Sequence, residues 1–111
     1  MDDDKYTVAF ELITKAGDAK SKAMMAIEAA REFEFEEAEK YLKEAEQGLK
    51  EAHDAQLDMM QKEASGTPAD VNIILVHAQD HLTMAIMAHD NAEEFINLYK
   101  LIRELVVSNE L

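Results

Sequence analysis

The stretch TPADVNIILVHAQDHLTMAIMAHDNAEEFINLYKLIRELVV, residues 67–107, decides the fold, because after its opening Thr67-Pro68 pair it contains neither Gly nor Pro. Thr67, with Pro68 next and Asp70 three residues on, is the pattern of a helix N-cap with Pro at the first helical position. We therefore predict one helix over residues 68–107, about 60 Å long at 1.5 Å per residue. A helix of that length needs packing partners along all of it.

This helix, the last of three predicted in the chain, carries two apolar seams. Together the seams present more apolar surface than one pair of neighbouring helices could cover. We expect one seam to pack within the subunit and the other against further subunits, and we therefore predict an oligomer. The first seam consists of Val71, Leu75, Ala78, Leu82, Ala85, Ala92, Ile96 and Tyr99. The second seam consists of Ile73, Val76, Asp80, Met84, Met87, Asn91, Leu98, Ile102 and Leu105.

Two further helices are predicted upstream, over residues 5–31 and 36–63, with a turn near Phe33-Glu34-Phe35 where the apolar stripe changes phase. Gly17 and Gly48 fall inside these helices, where each is either a tolerated defect or a point of close helix approach. The chain of 111 residues has 3 Gly, 1 Pro and 6% aromatic residues, which favours a single all-α domain. The predicted core stripe of helix one is Tyr6, Phe10, Ile13, Ala16, Ala23, Met24, Ile27 and Ala30.

The formal net charge of −13 excludes several classes of partner. Nucleic acid and anionic lipid both require a basic patch, so we expect basic proteins or cations instead. The absence of Cys rules out thiol chemistry and disulfide scaffolds. The start Met1-Asp2-Asp3-Asp4-Lys5 is unlike a signal peptide, and no apolar run approaches membrane-spanning length, so we expect a cytoplasmic protein without direct membrane insertion.

His77, Asp80 and His81 are the candidate functional residues, because their spacing of i, i+3 and i+4 places them on one helical face. Two imidazoles and a carboxylate can bind a divalent metal ion, whereas a neutral imidazole can also accept a phosphoryl group. A non-catalytic metal-binding bundle and a plain helical interaction module therefore remain alternatives to a phosphoryl acceptor. Asp80 also interrupts the second seam, where it either tips out to solvent or shares a cation with symmetry-related copies.

Segments along nearly the whole chain resemble the lactose/cellobiose family of phosphotransferase system (PTS) IIA proteins. Val76-His77-Ala78-Gln79-Asp80-His81-Leu82 is similar to the family's His-(Gly/Ala)-Gln-Asp-His-Leu motif. One departure is at the first turn, where the family often has Gly-Asp-Phe and this chain has Glu32-Phe33-Glu34-Phe35. The other matching segments are Gly17-Asp18-Ala19-Lys20-Ser21, Glu51-Ala52-His53 with Gln56, Glu63-Ala64-Ser65-Gly66 and Leu98-Tyr99-Lys100.

The resemblance implies a specific assembly and activity. An antiparallel three-helix subunit would assemble as a trimeric nine-helix bundle, with Asp80 and its symmetry mates holding Mg²⁺ or another divalent cation on the threefold axis. His77 would accept a phosphoryl group from HPr and pass it to a cysteine of the cognate IIB protein, with the IIC permease downstream. The enzyme would serve uptake of a β-linked disaccharide of lactose or cellobiose/chitobiose type. His53 and His89 are not expected to be acceptors, and the resemblance assigns no role to Gln79 or His81.

Overall fold

A computed structural model describes the backbone of residues 3–66 and 72–110 and the side chains of residues 6–66 and 72–109. The described chain forms three α-helices: α1 spans Asp3–Arg31, α2 spans Phe35–Ala64 and α3 spans Ile73–Glu110. The described residues contain no β-strand, which confirms the all-α prediction.

Ion pairs between helices define their directions. Lys15 contacts Glu51 at 3.1 Å and Lys22 contacts Glu44 at 3.3 Å, so later positions in α1 meet earlier positions in α2. These two helices are therefore antiparallel. His89 of α3 lies 3.1 Å from Glu46, and Lys100 further along α3 lies 3.0 Å from Glu39. Helix α3 is thus antiparallel to α2 and runs in the same direction as α1.

The turn between α1 and α2 is a Schellman motif centred on Phe33. The Glu34 N–H donates to the Ala29 carbonyl and the Phe33 N–H donates to the Ala30 carbonyl, both at 2.9 Å. Phe33 has a φ of 63°, a left-handed conformation that Gly adopts more readily. Its ring lies 5.4 Å from the Arg103 guanidinium, a cation–π contact that helps hold it in place. The turn thus lies at residues 32–34, where the apolar stripe of the sequence changes phase.

The start of α3 requires a correction to the prediction. The described helix begins at Ile73, and the residue before it, Asn72, is not helical. The Asn72 side chain accepts a hydrogen bond of 2.9 Å from the Leu75 N–H, so it acts as the N-cap. The predicted N-cap and first helical position, Thr67 and Pro68, lie outside the described residues.

The core is built mostly from alanine, which lets the helix backbones approach closely. Phe10 and Met24, predicted to lie in the core stripe of α1, are instead exposed by 55% and 50%. The prediction is wrong for these two residues, because alanines of α1 face inward in their place, whereas the other six residues of the stripe are buried or half-buried. Among the described buried residues, the only side chains larger than alanine are Leu12, Leu42, Leu82 and Ile96.

The two glycines inside helices differ in role. A Cβ added at Gly48 would lie 3.4 Å from the Ala19 Cβ and 3.7 Å from the Lys15 carbonyl oxygen, so Gly48 marks a close approach of α2 to α1. A Cβ added at Gly17 would meet nothing within 4 Å. Gly17 is therefore a tolerated helix defect within the single chain.

One of the two seams of α3 packs within the subunit, as the pattern predicts. The described residues of the first seam are buried or half-buried against α1 and α2. The second seam stays open in the single chain, where Ile73 is 84% exposed, Met87 63% and Leu105 64%. The open seam is long and apolar, and it leaves a large unpartnered surface on the subunit.

No helix within the described ranges is both long and apolar enough to cross a membrane.

Candidate functional site

His77 and His81 lie side by side near the start of α3, where one helical turn separates them. Their Nε2 atoms are 3.0 Å apart, and the ring centroids are 4.5 Å apart with an interplanar angle of 85°. One imidazole must donate its Nε2–H and the other must accept, so the contact links the tautomers of the two rings. His77 is exposed and His81 half-buried, which leaves His77 open to a partner while His81 is more firmly held.

Asp80 lies on the open face of α3 rather than in a cluster with the two histidines. It is exposed, between Val76 and Met84 of the second seam, which are 50% and 47% exposed. Within the described part of the chain, His77, Asp80 and His81 do not bring three ligand atoms close to one another. The spacing left a metal site of this trio open, and the single chain does not hold the three side chains as a preformed cluster.

Gln79 has a structural role that the sequence pattern left unassigned. Its side-chain carbonyl accepts a hydrogen bond from the Gln56 amide of α2, and its backbone carbonyl accepts one of 3.1 Å from the Thr83 hydroxyl. The side-chain bond fixes the start of α3 against the end of α2. A cavity of about 270 Å³ adjoins this bond and is lined by Gln56, Met59, Met60, Glu63, Leu75, Val76 and Gln79.

The other two histidines lie elsewhere. His53 is exposed on α2. Both ring nitrogens of His89 contact carboxylates, Nδ1 at 3.0 Å from Asp90 and Nε2 at 3.1 Å from Glu46. Partial burial lowers the pKa of His89, but the hydrogen bonds to Asp90 and Glu46 outweigh it, so the pKa is raised above 6.5. Neither nitrogen of His89 is free to act as a nucleophile in this arrangement.

Comparison with known proteins identifies the family. The family described as "PTS system, Lactose/Cellobiose specific IIA subunit" matches residues 7–100, which include the whole histidine motif. The chain belongs to this family.

A relative and two solved structures support the assignment. The lichenan-specific phosphotransferase enzyme IIA component of Bacillus subtilis is 39% identical over 104 residues, covering 94% of each chain. The crystal structure of the PTS cellobiose-specific enzyme IIA from Bacillus anthracis has a TM-score of 0.86 at 38% identity, covering 88% of this chain and 90% of that one. The fold and the family thus agree.

The second structure is a complex. Solution structures of the IIA(chitobiose)–HPr complex, from the N,N'-diacetylchitobiose branch of the Escherichia coli phosphotransferase system, give a TM-score of 0.78 at 29% identity. The match covers 89% of this chain and 96% of that chain. The similar proteins are named for lichenan, cellobiose and chitobiose. Family membership therefore makes this protein a PTS IIA component without selecting one sugar.

Proposed function

We propose that this IIA component is a phosphocarrier that accepts a phosphoryl group from phospho-HPr on His77 and passes it to a cysteine of its cognate IIB protein. The observation that carries the proposal is the exposed His77 imidazole, held by His81, inside the motif of a PTS IIA family member. The sugar imported downstream, through a IIC permease, is a β-linked disaccharide of lactose or cellobiose/chitobiose type. Transfer between proteins of this system is expected to take place in the cytoplasm.

The contact with His81 suggests how His77 is prepared. Attack on phosphorus requires a lone pair on the attacking nitrogen, so His77 must be neutral. When His81 donates its Nε2–H, the Nε2 lone pair of His77 accepts that hydrogen bond, and the remaining ring proton of His77 is on Nδ1. As the bond from His77 Nε2 to phosphorus forms, the P–N bond of phospho-HPr breaks and the HPr imidazole leaves. The hydrogen bond between the two histidines breaks in the same step, and the N–H of His81 can then donate to a phosphoryl oxygen. His81 is thus assigned a positioning and charge-stabilising role.

HPr is the proposed donor for two reasons. The similar chitobiose IIA protein was solved in complex with HPr. The net charge of −13 suits docking by a basic face and does not suit nucleic acid. Since phosphoryl transfer between nitrogens depends mainly on positioning and charge stabilisation, the docked partner supplies much of the site.

A homotrimer accounts for the open second seam of α3. Nine helices in three subunits would cover the exposed Ile73, Met84, Met87 and Leu105 side chains. The same assembly brings three copies of Asp80 toward one axis, where their charges repel unless a cation lies between them. The donor set fits such an ion, because carboxylate oxygens and water suit Mg²⁺ or another hard divalent cation. Asp80 is the residue proposed to hold it, and the bound ion would offset the buried charge.

The test is phosphoryl uptake from phospho-HPr, prepared with phosphoenolpyruvate and enzyme I and followed by intact-protein mass spectrometry. We expect His77→Ala to abolish the phosphate adduct while the far-UV circular dichroism spectrum stays unchanged. His53→Gln, an exposed histidine on another helix, is the matched control and should take up phosphate like the parent. A full adduct on His77→Ala would refute the assignment. Addition of candidate IIB proteins and sugars then identifies the downstream partner.

A further inference from the structure

A group of three potential metal ligands lies on the surface between α2 and α3. It comprises Glu46 of α2 with His89 and Glu93 of α3, whose ligand atoms all lie within 4.8 Å of one another. His89 and Glu93 are four residues apart and share one face of α3. Both glutamates are exposed, whereas the His89 side chain is only 14% exposed. A partly buried imidazole therefore faces two carboxylates that solvent ions can reach.

The distances are close to those of a tetrahedral metal site. Zinc binds imidazole nitrogen and carboxylate oxygen at about 2.0–2.2 Å, which places neighbouring ligand atoms about 3.3 Å apart. The His89 Nε2 and a Glu46 carboxylate oxygen are already 3.1 Å apart. Glu93 needs only a small change of its flexible side chain to complete three protein ligands. Water can take the fourth position.

Asp90 completes the arrangement from the far side of the ring. Its carboxylate lies 3.0 Å from His89 Nδ1, so Nδ1–H donates to Asp90 when the imidazole is neutral. This tautomer leaves the Nε2 lone pair facing Glu46 and Glu93. Metal-binding histidines usually donate their other ring N–H to a carboxylate, a backbone carbonyl or water, which fixes the tautomer and raises the basicity of the ring.

The position of the cluster separates it from the phosphoryl site. His89 follows His77 by twelve residues on one helix, which corresponds to about 18 Å along the axis. Helix α1 packs more extensively against α2 and α3 than these two pack against each other. A cation bound by ligands from α2 and α3 would link the helices where direct packing is thinnest.

We propose that Glu46, His89 and Glu93 bind Zn²⁺ or a similar imidazole-preferring divalent cation, and that the bound ion fastens α2 to α3. The site is independent of the proposed phosphoryl transfer and differs from the Asp80 position, which offers carboxylates alone and suits hard cations. A cation that binds the folded chain and not the unfolded one stabilises it by RT ln(1 + c/Kd), where c is the free concentration of the cation, so the unfolding temperature rises with c.

The experiment adds Zn²⁺ to the metal-stripped protein and measures thermal unfolding, calorimetric stoichiometry and the ¹⁵N shifts of the histidine rings. All measurements use the double variant Asp80→Leu, His77→Ala as the background protein. These substitutions remove the Asp80 carboxylate and break up the His77–His81 pair, both of which could compete for Zn²⁺. We expect one Zn²⁺ per chain, a higher unfolding temperature and a shift of the His89 Nε2 signal.

Three variants in that background decide the matter. His89→Gln and Glu93→Gln should each lose most of the Zn²⁺-induced rise, and Asp90→Asn should weaken binding about tenfold while leaving the stoichiometry unchanged. Glu93 is exposed, so Glu93→Gln remains informative even if His89→Gln folds poorly. His53→Gln is the matched control and should respond like its background. If Zn²⁺ raises the unfolding temperature of Glu93→Gln as much as that of the background, or shifts only the His53 or His81 signals, the proposed site is wrong.

Discussion

Replacement of His81 tests the role of the histidine pair in phosphoryl transfer. His81→Leu removes the N–H that contacts the His77 Nε2 at 3.0 Å and keeps an apolar side chain on a half-buried position. A hydrogen bond between two neutral imidazoles contributes about 0.5–1.5 kcal/mol. During transfer the same N–H would donate to a charged phosphoryl oxygen, where a hydrogen bond contributes about 1.5–3 kcal/mol.

The difference between these two hydrogen bonds sets the expected effect. His81→Leu loses both, so the barrier to transfer rises by about 1.4 kcal/mol, which is about tenfold in rate. His81→Gln keeps an N–H donor of similar reach and should stay within about threefold of the parent. Rapid-quench measurement of transfer from ³²P-labelled phospho-HPr gives both rates, with His53→Gln as the control.

Two results would contradict this reasoning. A His81→Leu protein that accepts phosphate as fast as the parent would show that the Nε2 contact has no part in transfer. Equal losses in His81→Leu and His81→Gln, with unchanged helicity, would show that the imidazole acts through something other than its N–H. The same samples report the stability of phospho-His77 over time, which should also fall in His81→Leu.

Further predictions concern stability and assembly. Asp80→Leu should abolish metal binding at the proposed axial site and keep or strengthen the proposed trimer, because apolar packing replaces an ionic cluster; sedimentation equilibrium with and without chelator checks this. Leu82→Ala should cost about 2–5 kcal/mol in urea unfolding, since Leu82 is 1% exposed. Gly17→Ala should stabilise the folded chain by about 1 kcal/mol. Gly48→Ala should stabilise it by less, because a Cβ at Gly48 would lie 3.4 Å from the Ala19 Cβ of α1. A larger rise in unfolding temperature for Gly48→Ala than for Gly17→Ala would overturn this reasoning. With chelator present, protonated His89 should stabilise the folded chain fully below pH 6.5, and this contribution should disappear as the pH rises through the raised pKa of His89 in the folded state. His89→Gln should therefore reduce the dependence of the free energy of unfolding on pH.

Most of the helical architecture follows from the sequence because hydrophobic periodicity reports it directly. The two seams of α3 are readable since they extend over many turns, and the first seam is the one buried against α1 and α2. The assignments of Phe10 and Met24 failed for a physical reason. An alanine interface brings backbones together and turns large side chains outward, whereas a hydrophobicity pattern gives the large residues more weight.

The candidate site also has a part that the sequence predicts and a part that it does not. The sequence spacing places His77 and His81 on one face, and their contact within one helix follows from it. The pairs Gln56–Gln79 and Glu46–His89 join α2 to α3, so only the register of the two helices brings them together. Sequence spacing predicts contacts within a helix and cannot predict the register between two helices.

The alanine core has a consequence for how the protein behaves at different abundances. Because small side chains fill the interior, the isolated chain gains little from hydrophobic burial, and much of its large apolar surface lies on the outer side of α3. In an assembly that covers this surface, folding and association become one equilibrium, and its midpoint depends on the concentration of the protein itself. In such an assembly, dilution would act as a denaturant, and newly made chains would be most vulnerable to proteolysis before they met their partners.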